Sequence, residues 1–156
     1  MPASTTVILI LLALAGVAVF FVLFARRDPG VQRRTLALED IGRVYAQISA
    51  QAVETSFAVL IIPTGPEENP EIQFSVENGK AGLDWILMSP RNIAEKANVV
   101  AYAESRGFEW QEKEMNEWLY MRIEQGDLAS LCTSLIRDLY QMGEVELKYG
   151  GFKYKA

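Results

Sequence analysis

Glu71–Met88, EIQFSVENGKAGLDWILM, reads as two strands joined by a tight turn. Over Glu71–Glu77 the side chains alternate, with Ile72, Phe74 and Val76 on one side and Gln73 and Ser75 on the other. A period of two marks a strand with one buried face. Asn78-Gly79 follows, and both residue types tolerate the positive φ of a two-residue hairpin turn. The returning strand is Leu83–Met88, with Leu83, Trp85 and Leu87 on one face. A hairpin pairs its strands antiparallel, so this stretch sets the sheet type for the domain.

Upstream, Phe57–Ile62 (FAVLII) is a continuous apolar run ended by Pro63. Its length and β-branched content predict a strand buried on both faces. The intervening PTGPEENPE, with three prolines and three glutamates, is an exposed loop. Further back, Leu38, Ile41, Tyr45, Ile48 and Ala52 fall at helical spacing, which predicts a helix from Leu36 to Val53 capped by Thr35. Gly42 inside it costs propensity and admits close packing.

Downstream, Ser89-Pro90-Arg91-Asn92 opens a second helix. Either Ser89 caps it with Pro90 in the first turn, or Asn92 caps it with Glu95 reaching back. The helix runs to Arg106 and stops at Gly107. Phe108–Met115 and Trp118–Glu124 form a second predicted hairpin across Asn116. Asp127 caps a third helix with an apolar stripe of Leu128, Leu131, Cys132, Leu135, Leu139 and Met142. Val145, Leu147 and Tyr149 alternate with charged residues in a last strand, and the tail Phe152–Ala156 is aromatic and lysine-containing.

Val7–Ala25, VILILLALAGVAVFFVLFA, has no charged or polar side chain, and as a helix of about 28 Å it matches a bilayer core. The expected fold class is therefore α+β: one N-terminal transmembrane helix, then a single domain with a mostly antiparallel sheet. The element order is α-βββ-α-ββ-α-β, with helices on one face. The divisions are 1–25 for tail and span, 26–34 for a basic linker, and 35–156 for the domain. Arg26, Arg27, Arg33 and Arg34 flank the span, while residues 1–6 carry no charged side chain. The positive-inside rule then predicts a single-pass protein of the cell inner membrane with its C-terminal domain cytoplasmic. A cleaved signal at Ala13-Leu14-Ala15 competes with this, but it lacks a basic n-region and the apolar run continues past it. Ala13 and Gly16 belong to a small-residue patch where another helix could pack.

Four of the fifteen basic and one of the twenty acidic residues precede Thr35, which leaves the domain eleven against nineteen, a charge of −8. Such a domain binds nucleic acid poorly, because phosphate neutralisation supplies most of that affinity. With no histidine and one cysteine, Cys132, the chain has no intramolecular disulfide, histidine-ligated metal or histidine base. Cys132 sits in register with the apolar stripe, which predicts a core residue.

The element order over Leu36–Met142 resembles the compact α/β fold of type III secretion chaperone-like domains. That resemblance implies a surface for a peptide or client; it rests on order alone and assigns no residue.

The glutamates Glu67, Glu68, Glu71, Glu109, Glu112, Glu114, Glu117, Glu144 and Glu146 are local in sequence and read as solvated faces. No phosphate-binding glycine loop, EF-hand spacing or G-x-S-x-G elbow occurs. No catalytic, cofactor or metal residue is therefore assigned. Trp118, Tyr120 and Arg122 alternate with Leu119, Met121 and Ile123, and an exposed row of this kind has the composition of a binding hot spot. With Phe152 and Tyr154 they are the candidate partner-binding residues. The expected function is a non-catalytic, membrane-anchored accessory or scaffold subunit bound to a larger membrane protein complex. A tethered peptide- or client-binding module is the alternative, and a carboxylate-only enzyme is the third reading.

Overall fold

The computed structural model describes residues 30–156, and the hairpin at Asn78-Gly79 lies in the middle of its sheet. In chain order the strands are β1 Gln32–Ala37, β2 Phe57–Ile61, β3 Glu71–Glu77, β4 Lys80–Ile86, β5 Gln111–Met115, β6 Trp118–Ile123 and β7 Glu144–Gly150. The helices are α1 Ile41–Gln51, α2 Pro90–Glu104 and α3 Leu128–Tyr140. All six strand pairings are antiparallel, in the spatial order β1-β7-β2-β3-β4-β6-β5.

The register aligns one apolar set across the sheet: Leu60 faces Ile72 and Leu147, Phe74 faces Leu83, and Trp85 faces Met121. The three helices close over that face. Ile41, Val44 and Ile48 of α1, Val99 and Ala103 of α2, and Leu128, Leu131, Cys132, Leu135 and Ile136 of α3 are buried against it. Among the described residues, helices thus cover one side of the sheet and leave the opposite side open.

No helix among the described residues is long and apolar enough to cross a membrane. That corrects the expected architecture, which began with a transmembrane helix; the described fold is α+β alone. The expected span Val7–Ala25, with Ala13 and Gly16, lies outside the described residues, as do Arg26 and Arg27.

A second correction concerns the domain's first element. Gln32–Ala37 is a strand followed by a short 3-10 turn, Leu38–Asp40, where a linker and the start of a helix were expected. Leu36 and Leu38 are both buried because β1 zips onto β7, from Gln32 opposite Tyr149 to Ala37 opposite Glu144. Arg33 and Arg34, expected as membrane flank, belong to this strand. Arg33 Nη1 pairs with Glu146 Oε1 at 2.8 Å, and Arg34 Cζ lies 5.3 Å from the centre of the Tyr154 ring. Gly42 faces open space, so the close packing expected there does not occur. β2 is buried on one face only: Ala58 and Leu60 are covered, while Phe57, Val59 and Ile61 are half-buried on the open side.

At the start of α2 the structure decides between the two caps. Ser89 Oγ accepts the Asn92 N–H at 3.0 Å, with Pro90 in the first turn. The Asn92 side chain turns inward, accepting from Glu71 N–H and donating to the Glu71 and Ile86 carbonyls. Its own carbonyl accepts the Trp85 indole N–H at 2.8 Å, so one residue joins α2 to two strands and to the core tryptophan.

Candidate functional site

The open face carries polar residues at its centre. Directly opposite each other on β4 and β6 stand Asp84 and Arg122, and both are buried. Arg122 Nη1 pairs with Asp84 Oδ1 at 2.7 Å and donates to Ser75 Oγ at 2.9 Å. Its Nε donates to Glu124 Oε1 at 2.8 Å, and Nη2 donates to the Lys80 carbonyl at 3.1 Å. The guanidinium lies across Gly82, where any Cβ would meet its atoms, 2.7 Å from Nε. Only glycine leaves that space, which explains a glycine inside a strand.

Around this pair, Tyr120 Oη donates to Glu77 Oε1 at 2.7 Å, and Lys113 Nζ reaches Glu77 and Glu124 at 3.2 and 3.0 Å. Tyr120 and Lys113 stand on β6 and β5, whereas Glu77 is on β3, so these bonds bridge across β4. Burial pulls the Arg122 guanidinium down, but the carboxylates of Asp84 and Glu124 outweigh it and hold the group charged. Burial pushes the Asp84 carboxyl upward against the opposing pull of Arg122 and Ser75. Hydrogen bonds from Arg122 and Lys113 hold Glu124 below its usual range.

The Tyr120 phenol is pushed up to about 12, first by burial and then by its bond to Glu77. A proton held more tightly in the folded state than in the unfolded chain stabilises the fold fully below the ordinary phenol pKa of about 10. That contribution disappears as pH rises through about 12. Urea unfolding between pH 9 and 12 should therefore show a loss of stability that is shallower in Tyr120→Phe, because phenylalanine keeps the ring and removes the proton.

Beside this network runs a groove of about 610 Å3. Gln73, Ser75 and Asp84 give it a polar floor, and Phe57, Ile86, Met88, Met115 and Trp118 supply apolar surface. A smaller depression of about 230 Å3 adjoins it, sharing Gln73, Ile86 and Met88 and adding Val59. Trp118, Met88 and Met115 are 48%, 51% and 60% exposed, so three large apolar side chains stand in water at one site. The three are grouped along one groove and not scattered over the surface.

The expected row Trp118-Tyr120-Arg122 does share one face, but it is not an exposed strip. Arg122 is fully covered, Tyr120 is buried with its hydroxyl engaged, and Trp118 alone of the three is exposed. Phe152 and Tyr154 are not brought to it. They pack on Tyr149, each with ring centres 5.6 Å from it, on the helix-covered side of the sheet. The tail is strapped over α1 by Gln47 and Gln51, whose side chains bond the backbone of Lys155 and Lys153. Cys132 is buried in the core, and burial pushes its thiol up.

Sequence reading missed Asp84 and the inward-turned Asn92. For Asp84 the available signal was a lone acid inside the apolar run LDWIL. Among the described residues no group of three or more His, Cys, Asp or Glu is placed to hold a metal ion. Neither a family model, nor a curated protein, nor a solved structure matches the chain, and nothing in these comparisons identifies a type III secretion chaperone-like domain.

Proposed function

We propose that the domain is a non-catalytic accessory module that holds a segment of a partner protein in the groove of its open sheet face. The observation that carries this reading is the grouping of exposed Met88, Met115 and Trp118 beside a polar floor whose groups are already bonded to one another. The groove's volume lies within the range of about 300–1,000 Å3 typical of ligand sites. Flexible methionines beside a rigid indole suit a peptide better than a small rigid substrate, because they adapt to the side chain presented. The carboxylates in and beside the groove favour binding over acid–base chemistry. Asp84, Glu77 and Glu124 are engaged by Arg122, Lys113 and Tyr120, leaving them poorly placed to exchange protons with a substrate.

Hydroxyl-radical footprinting of the full chain tests the reading, comparing the free protein with its complex recovered by gentle extraction from the native source. Protection of Met88, Met115 and Trp118 in the complex is the expected result. Oxidation of these three at unchanged rates would refute it.

A further inference from the structure

The groove's charge is one-sided. Glu54, Glu77, Asp84 and Glu114 are among its lining residues, and among the described residues no lysine or arginine lines it. Glu114 stands opposite Leu119 and belongs by register to the other face, so the charge comes from the remaining three. Arg122 meets Asp84 from beneath the groove, and Lys113 meets Glu77 from its side. Glu54 is exposed, and among the described residues it accepts only the Asn78 backbone N–H at 2.6 Å and has no cation partner. Counting Glu124, and Lys80 opposite Glu77, four carboxylates face three cations, a local charge of −1 on a domain of −8.

Building on the binding reading, we infer that the occupant is a cationic segment of another protein, in extended form, in which a lysine or arginine neighbours a large apolar side chain. The apolar side chain is received by Met88, Met115 and Trp118, and the cation is drawn by Glu54 and Glu77. Complementary charge of this kind selects the partner and speeds encounter. Anionic lipid and nucleic acid are repelled by the same charge. A second copy of the chain, seated face to face through a two-fold axis, would set these carboxylates against their own counterparts.

The test uses the full chain in mild detergent and three fluorescein-labelled nonapeptides, followed by anisotropy. Their repeats are Ser-Arg-Leu, Ser-Gln-Leu and Ser-Arg-Ser. The Ser-Arg-Leu peptide should bind about tenfold more tightly than either of the others, since it alone offers both elements. Glu54→Gln, whose carboxylate lies outside the Arg122 network, should weaken it about threefold. The pair Glu39→Gln/Glu104→Gln removes two charges elsewhere and should leave binding unchanged. Equal affinity for the Ser-Gln-Leu or Ser-Arg-Ser peptide would overturn the inference, as would equal weakening by Glu39→Gln/Glu104→Gln or no binding of the Ser-Arg-Leu peptide. If the Ser-Gln-Leu peptide binds equally but loses affinity in Trp118→Ala, the groove reading survives and the cationic occupant does not. If Trp118→Ala and Met115→Ala leave every peptide unaffected, the groove reading itself has failed.

Discussion

Replacing Arg122 with methionine is expected to destabilise the domain by about 3–5 kcal/mol, the cost of leaving one member of a buried ion pair without the other. Asp84 would be left in a site only 1% exposed, without the pull of the guanidinium and with Ser75 and Gln73 as remaining donors. Glu77 and Glu124 would lose a partner too, but their side chains are 23% and 25% exposed and can turn to water. The penalty therefore falls on Asp84. The double variant Arg122→Met/Asp84→Leu should recover most of the loss, because a buried pair replaced by apolar groups of similar volume is close to neutral. Urea unfolding monitored by tryptophan fluorescence reads both. A loss below about 1 kcal/mol in the single variant would mean that the pair behaves as an exposed surface bridge. The network would then not be what ties β3, β4 and β6 together beside the groove.

Asn92→Ala should cost about 3 kcal/mol, because it orphans three backbone groups at roughly 1 kcal/mol each. The Glu71 N–H, the Glu71 carbonyl and the Ile86 carbonyl all bond to this one amide. They mark the start of β3 and the end of β4, and Ile86 lines the groove. The same substitution should therefore loosen the groove wall, visible as faster hydrogen exchange at Glu71 and at Leu87, whose N–H bonds to the Leu119 carbonyl. A purely local loss, confined to the first turn of α2, would contradict this role.

These two residues also mark where sequence reading stops. The Asn78-Gly79 turn was legible because its signal is local, and both residues adopt positive φ, 50° and 74°. The hairpin at Asn116 was legible for the same reason; there Asn116 and Glu117 take φ of 51° and 70°. Asp127 caps α3 as its sequence position predicts. By contrast, β1 was hidden. Its partner β7 lies more than one hundred residues away, and Leu36 and Leu38 fit a helical pattern equally well until that partner is known.

For the candidate site the same division holds. The alternation of Trp118, Tyr120 and Arg122 told which side chains share a face. Burial of Arg122 depends on Asp84, Ser75 and Gly82 from two other strands, a coincidence of register that no single segment encodes. Phe152 and Tyr154 drew attention by composition, yet Tyr149 and the two glutamines of α1 absorb them into the core side.

If partner binding covers the open sheet face, Met115 reports on it most directly. It is 60% exposed on the groove, whereas Met142 follows α3, outside the groove, and serves as an internal reference. The ratio of Met115 to Met142 oxidation should fall severalfold when the full chain is footprinted in its native complex. A ratio unchanged between free and bound protein would place the contact elsewhere and contradict the account.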